Sequence, residues 1–157
     1  MEKQWLPAFA KMTYGIYVLT TGFEDKYNGM IASWVSQISY DPPLIMAAVH
    51  PNRYSHELIN KSKCFALHVL SKDQKDFLKR FKGPDPEAKF ANIKWQKGKT
   101  GSPVINDCIA WFECEVVEIL NPGNHTLFIG RVVNAENLSE KAVMSTADYD
   151  GAYIGKS

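Results

Sequence analysis

The chain has 157 residues, 45% of them hydrophobic, with 18 basic against 17 acidic side chains and a formal net charge of +1. That length supports one packed core and leaves little room for a second, so a single domain over residues 1–157 is expected. The balanced charge excludes bulk electrostatic recruitment to nucleic acid or to an anionic membrane, so any partner must be recognised locally.

In chain order, residues 4–12 predict a short opening helix with Pro7 near its first turn. Glu2, Lys11 and Thr13 interrupt the layout of a secretory leader, so a soluble cytoplasmic protein is expected. The β-branched and aromatic run 15–21 predicts a first strand, and a turn over 22–27 leads to a second at 28–39. Tyr-Asp-Pro-Pro ends it, because proline cannot donate to a ladder, and the apolar run 44–49 predicts a third strand. That run is far shorter than the roughly 20 residues a membrane helix needs. After His50 the spacing turns helical, with Tyr54, Leu58 and Ile59 able to share a face and Asn52 or Ser55 as the cap.

A strand follows at 64–70, a helix at 73–81, and a long polar connection at 82–106 broken by Gly83, Gly98 and Gly101. Residues 109–120 and 125–135 flank Asn-Pro-Gly-Asn and predict a β-hairpin. Alternation puts Ala110, Phe112, Cys114 and Val116 on one face of its first arm. In the second arm it groups His125, Leu127, Ile129, Arg131 and Val133, so His125 heads a mostly apolar face. A mainly β protein, a barrel with short helices across its openings, is the simplest architecture for this order.

Familiar chemical motifs are missing. His50, His56, His68 and His125 lack zinc-motif spacing, and Cys64, Cys108 and Cys114 form no CxxC pair, so reduced core thiols are expected. There is no GxSxG, GxGxxG or GxxxxGK[ST]. What remains is His50-Pro-Asn-Arg-Tyr-Ser-His56, where an arginine, small polar side chains and backbone N–H groups gather at a helix start, as a phosphate site requires. On their own these residues fit an ordinary capped helix with a solvated arginine better. The preceding strand, with Trp34 among hydrogen-bonding neighbours, adds the makings of a pocket for a flat aromatic ligand that carries a phosphate.

Two stretches, NGMIASWVSQISYDPPLIMAAVHPNRYSHELI at 28–59 and GNHTLFIGRVVNAE at 123–136, resemble the flavin reductase-like, FMN-binding split-barrel family, which includes flavoredoxins and ferric reductases. YGIYVLTT at 14–21 and STADY at 145–149 extend the resemblance over nearly the whole chain. It implies a six-stranded antiparallel split β-barrel that forms a homodimer and holds FMN near the subunit interface. By position, Asn28, Ala32, Ser33, Trp34, Ser36 and Gln37 match the segment lining the isoalloxazine and ribityl chain. Asn52, Arg53 and Ser55 match the phosphate turn, and Lys89 is similar to a further basic residue near the phosphate. His125 matches the histidine beside the flavin ring, the one candidate catalytic residue, and Tyr149 is similar to an aromatic that covers the ring.

The resemblance further implies an oxidoreductase in which NADH or NADPH reduces the flavin, with electrons passing to free flavin, ferric chelates or a protein partner. The alternative is a carrier with tightly held FMN that does not use pyridine nucleotide directly. Neither nucleic acid nor membrane is an expected partner, and no metal ligands are assigned.

Overall fold

The computed structural model describes residues 1–148. After a 3-10 turn, Lys3–Trp5, and a one-turn helix α1 (Leu6–Phe9), four strands follow: β1 (Tyr17–Phe23), β2 (Lys26–Ala32), β3 (Val35–Tyr40) and β4 (Pro43–Val49). Helix α2 (Tyr54–Ser62) leads to β5 (Cys64–Val69), then to α3 (Lys75–Lys82) and α4 (Pro86–Phe90). A short ribbon, β6 (Trp95–Lys97) with β7 (Pro103–Ile105), precedes the long hairpin of β8 (Ala110–Leu120) and β9 (Thr126–Asn137). No helix among the described residues is long and apolar enough to cross a membrane.

Seven strands form one antiparallel sheet in the order β2-β1-β5-β8-β9-β4-β3. The six expected strands are all present, and the seventh arises because residues 28–39 do not run as one strand. The chain breaks at Ser33–Trp34: β2 pairs with β1 from Tyr17↔Ala32 onward, whereas β3 pairs with β4 from Val35↔Ala47. Two sequence neighbours thus become opposite edges of the sheet. The ribbon β6–β7 and helix α4 come from the segment 82–106, whose strands of three residues are too short to show a period.

The sheet is curled, because one buried cluster collects residues from nearly every strand. Leu19, Ala32, Ile45, Ala47, Val49, Phe65, Leu67, Cys114 and Phe128 pack with Ile59 of α2, and Val35 of the far edge closes on the same cluster. On the opposite face, Ile16, Val18, Leu70 and Ile105 pack beneath Phe77 and Phe81 of α3 and Phe90 of α4. Burying nine-tenths or more of such side chains contributes about 1.5–3 kcal/mol each, which makes these two clusters the main support of the fold.

In the second arm the barrel buries the face opposite to the one His125 heads. Phe128 is fully buried and Val132 packs on the barrel cluster, so Arg131 and Val133 stand on the outer, exposed face. Pairing with β4 runs unbroken from Thr126 to Arg131, so alternation holds through this stretch and sets Thr126, Phe128 and Gly130 with Val132 on the barrel side. Gly130 permits the close approach of β8 to β9: a Cβ there would lie 2.7 Å from Cys114 Cβ and 2.8 Å from the Phe65 ring. Gly130→Ala is expected to destabilise the protein by about 1–3 kcal/mol, and a urea midpoint equal to the parent's would contradict this packing.

Two buried polar groups tie the ribbon to the sheet. His68 of β5, with no exposed surface, bonds through Nδ1 to Val18 O at 3.0 Å and accepts at Nε2 from Ile105 N at 3.0 Å. Glu113 of β8 accepts from Thr100 N at 2.9 Å, Thr100 Oγ1 at 2.8 Å, Lys99 N at 3.2 Å and Asn134 Nδ2 at 3.0 Å. Burial alone would push its carboxyl up, and these bonds hold it below the ordinary carboxylate range.

Candidate functional site

Helix α2 starts where β4 ends, and its first turn faces two ways. Arg53 is the N-cap residue, in extended backbone, and no side chain caps this end. The expected caps are used elsewhere: Asn52 N donates to His50 Nδ1 at 3.1 Å, and Ser55 Oγ accepts from Asn28 Nδ2 at 3.0 Å. An uncapped helix start beside an exposed arginine is a receptive place for an anion.

Inward from that turn lies a buried polar cluster. Lys89, only 5% exposed, donates from Nζ to Asn28 Oδ1 at 2.9 Å and to Gly29 O at 2.8 Å. Its place is fixed by α4, which Asp85 caps through Glu87 N at 3.0 Å and Pro86 initiates, while Phe90 anchors the other side. Gly29 lets α3 and α4 come this near, since a Cβ there would lie 2.7 Å from the Phe81 ring. Both acceptors of the ammonium are neutral oxygens. Burial, then Arg53, push its pKa down, with Asp85 opposing. A bound anion would offset both by favouring the charged ammonium.

The outward side is aromatic. Trp34, in the break between the sheet edges, lies 4.7 Å from His125 between ring centroids, and His125 meets His50 edge-on at 5.2 Å. Trp34 is held by Ala48 N, which donates to Trp34 O at 2.9 Å. The indole Nε1 is buried with no acceptor among the described residues, a donor that a ligand oxygen could satisfy. His125 Nδ1 bonds to Asn124 Oδ1 at 2.8 Å, which leaves Nε2 as the acceptor of the neutral ring. Burial, His50 and Arg53 all lower the His125 pKa, so the ring is neutral at pH 7.

Asn28, Ser55 and Lys89 therefore meet in one hydrogen-bonded group, and Trp34 and His125 form a separate ring contact. The mutual electrostatic influence of Arg53 on Lys89 and His125 links the two. Ala32 and Ser33 are buried behind them, and Asn52 is exposed at the turn. Ser36 and Gln37 lie further along β3, opposite Met46 and Ile45, where they line a cavity of about 310 Å³ with Tyr17, Phe112 and Val132. This end of the barrel is the one away from His125, because Val49 at the end of β4 pairs with Thr126 and Leu44 near its start with Arg131. Tyr149 lies outside the described residues. Sequence reasoning missed His56, Thr126 and Asn121, which bond in series beside the site and carry no motif.

A family model, "Flavin reductase like domain", matches residues 9–155. The chain belongs to that family. It is 33% identical over 154 residues to a ferric-chelate reductase (NAD(P)H) of Archaeoglobus fulgidus, covering 95% of this chain and 90% of that protein. It is 35% identical over 131 residues to the "Probable flavin reductase" of Rhizobium meliloti, covering 83% of this chain and 42% of that one. The chain thus spans less than half the length of the latter. Among solved structures, the NADH:FAD oxidoreductase of Streptomyces globisporus superposes with a TM-score of 0.81 at 27% identity, over 88% of this chain and 84% of the other. As a flavin reductase-like domain, the chain has a split barrel whose break coincides with the Trp34 site.

Proposed function

We propose that this chain is an NAD(P)H-dependent flavoprotein reductase that holds FMN between the α2 turn and the Trp34–His125 pair. Electrons would pass from it to free flavin, ferric chelates or a protein partner. The observation that carries the reading is the buried Lys89 ammonium beside Arg53, neither of which has a carboxylate within ion-pair distance among the described residues. Burying a cation on neutral acceptors is costly, and a phosphate dianion is the partner that offsets that cost.

In this reading Arg53, Lys89, Ser55 and the first turn of α2 hold the phosphate, with Asn52 at its rim. Asn28, Ala32, Ser33 and Trp34 line the ribityl chain and ring, with Ser36 and Gln37 at the β3 end and Tyr149 as a cover. A bound flavin supplies the hydride chemistry. The protein contributes placement: Trp34 presents its indole donor, and His125 offers a neutral Nε2 that can accept a hydrogen bond and orient a nicotinamide amide. No residue here needs to exchange a proton. A second copy of the chain, as a homodimer, would cover the exposed Val117, Leu120 and Val133 of the long hairpin.

The test is the visible spectrum of the purified protein and its response to NADH or NADPH without oxygen. Rapid bleaching of a yellow protein supports the reductase. A stable yellow colour assigns the carrier role instead, and a colourless protein that takes up no FMN defeats both. His125→Ala should lower turnover or shift the flavin potential, and unchanged values of both would remove His125 from the site.

A further inference from the structure

The α2 turn makes a second connection that the cofactor reading does not use. His56 Nε2 lies 2.7 Å from Thr126 Oγ1, and Thr126 Oγ1 donates to Asn121 Oδ1 at 2.8 Å. A hydroxyl that donates to Asn121 has only lone pairs to offer His56, so Nε2 must carry the proton. The other ring nitrogen, Nδ1, then accepts from Asn60 Nδ2 at 3.2 Å, one helical turn on. Phe128 fixes the ring plane by an edge contact at 5.3 Å. Each member of the series Asn60, His56, Thr126, Asn121 has its donor and acceptor roles determined by the next.

The two ends of this series matter. Asn60 and His56 belong to α2, while Asn121 and Thr126 bracket the hairpin turn that presents His125. Among the described residues, no other side-chain hydrogen bond joins that turn to α2. The adjacent Ser55 points the opposite way, to Asn28 and the Lys89 cluster. One helical turn thus grips the β2 side with Ser55 and the hairpin with His56.

We propose that His56 is a positioning residue, which acts through Thr126 and Asn121 to hold the 121–125 turn so that His125 stays against Trp34. This rests on the reading of His125 as the residue beside the flavin. His56 touches neither cofactor nor substrate in that reading and changes the reaction only through where it holds His125.

Three variants test this. His56→Leu breaks the series, His56→Gln keeps a donor toward Thr126 and an acceptor toward Asn60, and Thr126→Val removes the hydroxyl that joins them. In the flavin-free protein, the His125 ring signals should titrate closer to the ordinary histidine value in His56→Leu and Thr126→Val, and as in the parent in His56→Gln. In the flavin-loaded protein, His56→Leu should lower kcat about tenfold and leave the flavin Kd within about twofold, because the Ser55 side is untouched; His56→Gln should recover most of kcat. The His56→Leu, Thr126→Val double variant should be no worse than either single one. Unchanged His125 titration in His56→Leu, or a His56→Gln as impaired as His56→Leu, would overturn the proposal. If His125→Ala itself has no effect on turnover or potential, the underlying flavin reading of His125 fails, whereas the titration result still decides the role of His56.

Discussion

Lys89→Met is expected to weaken FMN binding by about 100-fold or more, the equivalent of about 2.8 kcal/mol at 1.4 kcal/mol per decade. The size follows from burial. Lys89 is 5% exposed, so a phosphate that meets it does so largely out of water, where the screening that weakens surface pairs is missing. Arg53 is exposed, and Arg53→Ala should therefore cost about tenfold or less. The stability of the flavin-free protein should respond differently from affinity. Methionine removes a buried charge, which is favourable, but leaves Asn28 Oδ1 and Gly29 O without their donor, at about 1–3 kcal/mol for each acceptor. These effects oppose one another, so a small change in melting temperature should accompany the large change in Kd. Flavin fluorescence titration measures the first and thermal unfolding the second. Parent-like FMN affinity in Lys89→Met would end the phosphate assignment.

The second large effect is a loss of stability in acid that one side chain causes. His68 is fully buried and neutral, and burial pushes its pKa down from 6.5 to about 4 despite its bond to Val18 O. Once unfolded it takes up its proton near 6.5. Between those values the unfolded chain binds more protons than the folded one, so stability falls as pH drops. At about 1.36 kcal/mol per unit the loss reaches roughly 3 kcal/mol near pH 4, and the contribution is fully present above pH 6.5. His68→Gln can keep both bonds, to Val18 O and from Ile105 N, with an amide that does not titrate. Urea midpoints measured from pH 7 to pH 4.5 should therefore decline more steeply in the parent than in His68→Gln. Parallel declines would show that His68 is not the source.

Much of the architecture was legible because its signals are local. β-branched runs bounded by prolines and Asn-Pro-Gly-Asn mark the six strands, and the switch to helical spacing after His50 marks α2. What stayed hidden depends on distant partners. Residues 28–39 read as one strand because nothing in their spacing tells that Ala32 will pair with Tyr17 while Val35 pairs with Ala47. Alternation likewise sorts the second arm into two faces without telling which of them the barrel will bury. In the site, Arg53 and His125 stand out by charge and position. Lys89 is one of many lysines between residues 72 and 99, and only resemblance to the family singled it out. Its burial against Asn28 required the packing of α4. His56 and Thr126 are ordinary residues whose significance comes from meeting across elements.

The break at Ser33–Trp34 has a consequence for how the barrel can deform. A sheet whose two edges are consecutive strands is a strip tied into a loop by its own chain, and here the tie is a dipeptide. The bond from Ala48 N to Trp34 O is a single stitch beside that tie. Trp34 is therefore both a wall of the proposed flavin site and the knot that closes the strip. Opening the barrel along its split would drag the indole away from His125, so the shape of the site and the closure of the fold rise and fall together.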